Sequence, residues 1–488
     1  MIGALVSIDT LELLPALAPA VGAVLVLVVD ALLPRAARVA RVLGLVALVA
    51  GLVGAIRPLT TGTRIAQSLC LPAPQARCLY DTGSAGLLLQ VGALLAGVVV
   101  LVLLWDHDAG EAATQRGGVG VTTALVLTTV AGATTVAAAV DLGTWLVALE
   151  LATLPAVALV ALRGTDRAAH GAVSLLMTAV LSAALTVVGA ALWVVATHDL
   201  TFSPVSASAA WGDATTRPAL VLGVVVMLAG LGFKLSAVPF HQWTPQAYAG
   251  SSVPVAALLA TVSKIAAVAG IIAVLRAVGG LLGPGGHAPQ LALVVAILAV
   301  ATMTLGNVVA LRQDDVVRLL AWSTIAQAGW VLLPLASLRD VGLRSAATYV
   351  VAYAIASLVA FAVVPFVGTR LAAYGGLLRR HPLLGGALVL GLVSLAGLPP
   401  GILGLVAKVV ALRPVMDAGL WPLALVAVAN AVLGIAVYLR WVAVLFGDPS
   451  PDADPFAGGW GARAGLALAT TLLIVTSAVP HVVLGLLA

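Results

Sequence analysis

Lysine is nearly missing from this sequence: Lys234, Lys264 and Lys408 are the only three in 488 residues, although 24 positions hold lysine or arginine. Glutamate is equally scarce, at Glu12, Glu111 and Glu150, and charged residues of every kind make up 9% of the chain. Soluble domains carry about 25% charged and about 45–50% apolar residues. A chain that is 62% hydrophobic, with mean hydropathy +1.16, is therefore not a soluble protein. No Cys and His cluster has metal-ligand spacing, and there is no phosphate loop or dinucleotide fingerprint, which argues against a nucleotide-binding or iron–sulfur chain. The longest stretch between apolar runs, 57–83, lacks the mixed patterning of a soluble domain. The net charge of +5 comes from arginines spread over many short loops, not from a basic face, so no nucleic-acid partner is implied.

What is present is one apolar run after another. They lie near 14–33, 39–56, 84–105, 118–140, 142–162, 169–197, 217–238, 254–279, 290–311, 316–336, 344–368, 383–412, 419–446 and 464–487. A helix needs about 20 apolar residues to cross a hydrocarbon core about 30 Å thick. The expectation is an all-α, polytopic membrane protein of about fourteen transmembrane helices, forming one membrane domain over 1–488. The start carries Asp9 and Glu12 and is unlike a cleavable signal, so the first helix is expected to remain.

Two runs are interrupted in a similar way. The seventh passes Gly230, Gly232 and Lys234 to Pro239 and Pro245, and the twelfth passes Gly397, Pro399, Pro400 and Gly401 to Lys408. Interruptions five helices apart suggest two inverted five-helix repeats, helices 4–8 (118–279) and 9–13 (290–446), after helices 1–3 (1–117) and before a last helix (464–487). Broken backbone at membrane depth survives only against protein or a water-filled cavity, so these two places are the expected wet spots.

Orientation follows from the arginines. One set of loops holds 13 of them (Arg35, Arg38, Arg41, Arg116, Arg163, Arg167, Arg312, Arg318, Arg370, Arg379, Arg380, Arg440, Arg463) and the opposite set holds 8. The richer set is assigned to the cytoplasm, which places both termini and the loop of Cys70 and Cys78 on the outer face. There the two cysteines are either a disulfide or a pair of free thiols. Trp105, Trp211, Trp243, Trp421 and Trp441 fall near segment ends, where amphipathic rings favour the interface.

All three lysines lie inside apolar runs, while every loop cation is arginine. Arginine stays protonated at any accessible pH, whereas a desolvated lysine is able to give up its proton. Lysine retained at these places suits proton transfer. Glu150 is the one glutamate inside a helix, and a buried ionisable group usually faces a partner or a cavity, so its natural partner is Lys234. The competing reading for Lys234 and Lys408 is that they snorkel to the headgroups. Lys264 stands about ten residues from either end of its run, about 15 Å by helical rise, and is too deep for that. For Glu150 the competing reading is a protonated acid bonded to backbone freed by Pro155. His241 follows the first break and either relays a proton or lines the break.

At these residues the chain resembles the antiporter-like subunits of respiratory complex I, a family shared with Mrp-type cation/proton antiporters. The resemblance is carried by Gly230-Leu231-Gly232-Phe233-Lys234-Leu235-Ser236-Ala237-Val238-Pro239-Phe240-His241-Gln242-Trp243-Thr244-Pro245 and by Ala260-Thr261-Val262-Ser263-Lys264. Supporting stretches are Leu149-Glu150-Leu151, Arg318 to Gly329, and Ser394-Leu395-Ala396-Gly397-Leu398-Pro399-Pro400, and the whole likeness covers about 118 to 446. It implies that Glu150 and Lys234 form an input pair, Lys264 a central relay and Lys408 a terminal lysine on a hydrated axis. Lysine at 408, and no long lateral helix after the fourteenth segment, resemble the N type of these subunits.

The implied function is proton translocation within NADH:quinone oxidoreductase in a bacterial plasma membrane. FMN, iron–sulfur clusters and quinone would lie on partner subunits, and other membrane subunits and the lipid bilayer would surround the chain. An Mrp-type antiporter subunit is the alternative. Three positions depart from the family pattern: Gln327 stands where histidine is usual, and Gln246 and Ala249 replace common acids. Gln327 cannot titrate, so proton transfer near it must use water or another group.

Overall fold

Apolar runs fold as helices here because, in hydrocarbon, a segment must satisfy its own backbone hydrogen bonds. The computed structural model describes residues 6–33, 36–63, 65–72, 77–110, 118–282, 289–448 and 458–480. Arg35, Arg64, Glu111, Arg116, His287 and residues 481–487 of the last expected segment lie outside these.

The first three membrane helices are α1 (Leu14–Leu32), α2 (Ala37–Thr60) and α3 (Ser84–Gly110). Between the second and third, β1 (Ala66–Cys70) and β2 (Cys78–Thr82) pair antiparallel, so a small hairpin interrupts the all-α plan. The fourth crossing is α4 (Gly118–Val136), and the fifth is split into α5 (Leu142–Leu151) and α6 (Leu154–Ala161). The sixth, α7 (Asp166–Thr197), leads through the short α8 (Pro204–Gly212) to the broken seventh, α9 (Arg217–Leu235) and α10 (Trp243–Gly250). The eighth is split into α11 (Val253–Ala260) and α12 (Val262–Leu282), and α13 (Pro289–Ala310), α14 (Val316–Leu335) and α15 (Asp340–Val367) follow. After the turn α16 (Leu377–Arg380) come the broken twelfth, α17 (Pro382–Ala396) and α18 (Ile402–Asp417), then α19 (Trp421–Phe446) and α20 (Trp460–Ala478).

Among the described residues, thirteen segments are long and apolar enough to cross a membrane, and α17 is a shorter apolar helix. The chain is a multi-pass membrane protein. Depth in the bundle is uneven: α14, α15 and the α11–α12 segment are 89% buried, whereas α1, α13 and α20 are 33% buried. The first group forms the axis and the second presents its side chains outward.

Local chemistry sets several helix starts. Asp141 caps α5 by accepting from the Thr144 amide at 2.8 Å, and Asp315 caps α14 through the Arg318 amide at 2.9 Å. Pro155 divides the fifth crossing, because proline lacks an amide hydrogen and disfavours helical backbone just before it. The two broken crossings end alike, with a residue in left-handed backbone (Ser236, φ 67°; Gly397, φ 79°) followed by a cis proline at Pro239 or Pro400.

The hairpin joins Cys70 to Cys78, partners in register, by a disulfide. It also pairs with Ser7 and Ala139, and Arg77 meets Asp199 at 3.2 Å. Two of the tryptophans expected at the interface are instead core residues: Trp441 is 0% and Trp243 3% exposed. Trp441 packs edge-on to Tyr374 and Trp243 lies beneath a lysine, contacts between distant elements that outweigh an interfacial preference. Trp421 is exposed, and Trp105 and Trp211 carry the guanidinium groups of Arg41 and Arg217 on their rings.

Candidate functional site

The site is assembled where helices stop. Glu150 is in the last turn of α5, next to the break made by Pro155, and Lys234 is in the last turn of α9. The Lys234 Nζ lies 3.0 Å from the Glu150 Oε1 and donates to the Thr153 Oγ1 at 2.9 Å. Thr153 in turn donates to the Leu149 carbonyl at 2.7 Å, which fixes the hydroxyl as an acceptor toward the lysine. The lysine side chain is 6% exposed, the glutamate side chain 28%. Glu150 is thus not enclosed by its own chain but sits on the flank of the bundle, beside exposed Val147 and Leu154. A cavity of about 20 Å3, room for about one water, lies against Thr153, Lys234, Trp243 and Ser263.

Lys264 occupies the first turn of α12, just after the Thr261 break. Its ammonium donates to the main-chain carbonyl of Lys234 at 3.1 Å and to the Ser236 Oγ, and it stands 4.5 Å from the centre of the Trp243 ring. Lys408 in α18 repeats the arrangement in the second half. It donates to the carbonyl of Ala396, the last residue of α17, and lies 5.2 Å from the Trp330 ring. The last carbonyls of a helix have no partner within it and carry the negative end of its dipole, so a broken helix offers an ammonium both an acceptor and a favourable field. None of the three lysines reaches outward along lipid: Lys234, Lys264 and Lys408 are 8%, 2% and 7% exposed.

Glu150, Lys234 and Lys264 therefore form one hydrogen-bonded cluster, and Lys408 belongs to a second. Gln327 lies with the second and is fully bonded. Its amide nitrogen donates to the Tyr438 hydroxyl at 2.8 Å and to the Leu395 carbonyl at 3.3 Å, and its oxygen accepts from Tyr349 at 2.5 Å. His241 stands in the turn of the first break with its ring 5.4 Å from Trp322 and a buried Nδ1 without a partner; it bonds to none of the four charged residues. Pro239, Pro399 and Pro400 lie in the breaks themselves. Among the described residues no group of His, Cys, Asp and Glu gathers as a metal site.

Sequence reading passed over Thr153, Ser236, Trp243 as a lysine platform, and Trp330. A signal existed for two of them: Thr153 follows Glu150 by three residues at the proline break, and Ser236 follows Lys234 by two. Nothing in the order of residues places Trp330 under Lys408.

Residues 139–434 match the family described as NADH:quinone oxidoreductase/Mrp antiporter, TM. A curated relative, NADH-quinone oxidoreductase subunit N of Salinispora tropica, is 38% identical over 472 residues, covering 92% of this chain and 87% of its own. This chain belongs to the NADH-quinone oxidoreductase subunit N family. Among solved structures, a chain of respiratory complex I from Thermus thermophilus with bound Aureothin is similar with a TM-score of 0.77 and 28% identity, over 96% of this chain and 98% of that one. A chain of the Mrp complex from Dietzia sp. DQ12-45-1b overlays with a TM-score of 0.83 over 98% and 96%, at 22% identity, a likeness of fold. The charged cluster and both broken helices of this subunit N-family chain lie inside the matched region.

Proposed function

We propose that this chain is the membrane subunit through which an NADH:quinone oxidoreductase translocates protons, with Glu150, Lys234, Lys264 and Lys408 as the relay. The observation that carries this reading is the contact sequence from the Glu150 carboxylate to the Lys234 ammonium, and from the Lys234 carbonyl to the Lys264 ammonium. A carboxylate beside an ammonium favours both charged forms and holds the proton on lysine. When the carboxylate withdraws, that support is lost and the proton passes on. Glu150 is on the flank of the bundle, where a neighbouring membrane subunit is able to move it.

In this reading FMN, iron–sulfur clusters and quinone belong to partner subunits, and the chain itself performs no redox chemistry. The protein lies in the bacterial plasma membrane, with both termini and the hairpin outward, a placement supported by the arginine distribution and by a disulfide suited to an oxidising face. The two inverted repeats of helices 4–8 and 9–13 are supported by the matching ends of α9 and α17, each receiving a lysine from a later helix. An Mrp-type cation/proton antiporter subunit would share these charges; the subunit N relatives, alike over most of the chain, favour the oxidoreductase.

The test is Glu150→Gln in the assembled complex in vesicles, which keeps the shape and removes the charge. NADH-driven proton uptake should fall at least about tenfold with the complex still assembled, as expected when a positioned proton-transfer group is lost. Uptake at the unmodified rate would defeat the relay, and cation exchange without NADH would favour the antiporter.

A further inference from the structure

A cation inside an apolar crossing is costly unless it reaches water or a partner. Arg276, near the end of α12, is exposed and makes no hydrogen bond or ion pair with another described residue. It lines two cavities at once. The first, about 340 Å3, lies at the membrane face that bears the hairpin and is walled by Thr63, Ser84, Asp340 and Arg344. The second, about 200 Å3, follows Ala269, Ile272 and Ala273. These three share a helix face with Arg276 and lead from it about 10 Å toward the middle of the membrane. Leu89, Val136 and Phe202 complete the apolar wall, and Asp81 also lines this cavity.

Both carboxylates are already engaged. Asp340 pairs with Arg344 at 2.9 Å, and Asp81 accepts from the Gln67 side chain at 3.3 Å. Arg276 is the charge left over, at the junction of a polar cavity and a deeper apolar one. A guanidinium matches phosphate oxygens in geometry and in charge, and an apolar chamber is filled most favourably by hydrocarbon. Across the two cavities Arg276 and Arg344 balance Asp81 and Asp340, which suits a phosphate on a head of no net charge better than a free polyanion. We infer that the joined cavities seat one phospholipid, its phosphate on Arg276 and one acyl chain along Ala269 to Ala273. The lipid ties together the hairpin-side ends of α3, α12 and α15, whose residues line its seat. Neither the seat nor its test uses a residue of the proposed relay.

The experiment uses the assembled complex in phosphatidylcholine vesicles that contain a phosphatidylcholine with a photoactivatable diazirine midway along one chain. After irradiation, adducts should map to 269–273 of α12 and to Phe202. Arg276→Gln removes the phosphate contact and Ala273→Leu fills the chamber. Each should lower those adducts about tenfold relative to the label on the rest of the chain, as expected for the loss of one charge-assisted contact or of the chain's seat. Arg276→Lys keeps the cation and should lower them less. Inorganic phosphate should not compete, because it brings no chain. Absence of adducts at 269–273 in the unmodified complex overturns the lipid site, and this mapping decides even where a variant fails to assemble. Adducts that neither Arg276→Gln nor Ala273→Leu lowers overturn it too. Protection by inorganic phosphate would assign the cavity to the free anion and overturn it as well.

Discussion

The ammonium of Lys264 donates to the main-chain carbonyl of Lys234 at 3.1 Å, so two lysines thirty residues apart are joined side chain to backbone. The carbonyl belongs to the end of α9, whose last turn also carries the side chain paired with Glu150. A shift of that turn, however small, is felt at Lys264.

Lys264→Ala should therefore abolish proton uptake while the helices stay folded. Lys264→Arg should fail too, since a guanidinium keeps its proton and its planar fork does not match the Ser236 and Lys234 acceptors. Uptake driven by NADH in vesicles decides, and normal uptake in either variant would remove Lys264 from the path.

Thr153→Val removes the second acceptor of the Lys234 ammonium and keeps the volume. Hydrogen bonds to charged groups contribute about 1.5–3 kcal/mol, so the balance between paired and released lysine should shift about tenfold or more. The expected readout is a smaller loss of uptake than in Glu150→Gln. A loss as complete as in Glu150→Gln would mean that the hydroxyl, not the carboxylate, holds the proton in place.

Gly397→Ala tests the packing of Lys408. Gly397 has φ +79°, and a Cβ there would lie 2.7 Å from the Lys408 Cδ and 3.2 Å from its Nζ. Left-handed backbone costs a residue with a side chain about 1–2 kcal/mol, and the lysine stem must also move off the end of α17. Uptake should drop with the complex assembled. A variant structure with Lys408 still bonded to Ala396 would contradict this account.

The hairpin reports orientation. After reduction, Cys70 and Cys78 should react with a membrane-impermeant maleimide added to intact cells. Modification only in inverted vesicles would place the hairpin, and the termini with it, on the cytoplasmic side. Closing so short a loop contributes on the order of 2–3 kcal/mol, so the reduced hairpin should also show weaker hydrogen-exchange protection.

Asp199 supplies a pH test beside the hairpin. Burial raises its carboxyl, but hydrogen bonds from Ser206, Thr201 and Arg77 outweigh this and hold it below the usual range. Its folded value is thus the lower one. The stabilisation is complete above the ordinary value of about 3.9 and is lost as pH falls through the folded value. Hydrogen-exchange protection of 199–206 should be level from neutral pH to about pH 5 and lower throughout in Asp199→Asn. Protection that already decays across that interval in the unmodified protein would show that another group governs it.

Composition by itself determined that the chain lives in lipid, and the spacing of apolar runs determined its crossings, because about 20 apolar residues per helix is a constraint each segment meets alone. The four charged residues proposed as the relay were also legible, since a charge inside such a run is costly enough to stand out. The β-hairpin was not, because its strands are short and polar and are held by a disulfide and by Ser7, Ala139 and Asp199 from elsewhere in the chain. Nor was the buried place of Trp243 and Trp441, or the ring of Trp330 under Lys408, which depend on helices far apart in sequence meeting at one depth. The tertiary structure alone decided that Glu150 faces the flank while its lysine faces inward, and that each broken helix presents a carbonyl of its last turn to a lysine of a later helix. The reason is geometric: sequence fixes which groups sit at membrane depth, whereas the rotation of each helix about its axis, set by packing, fixes what they touch.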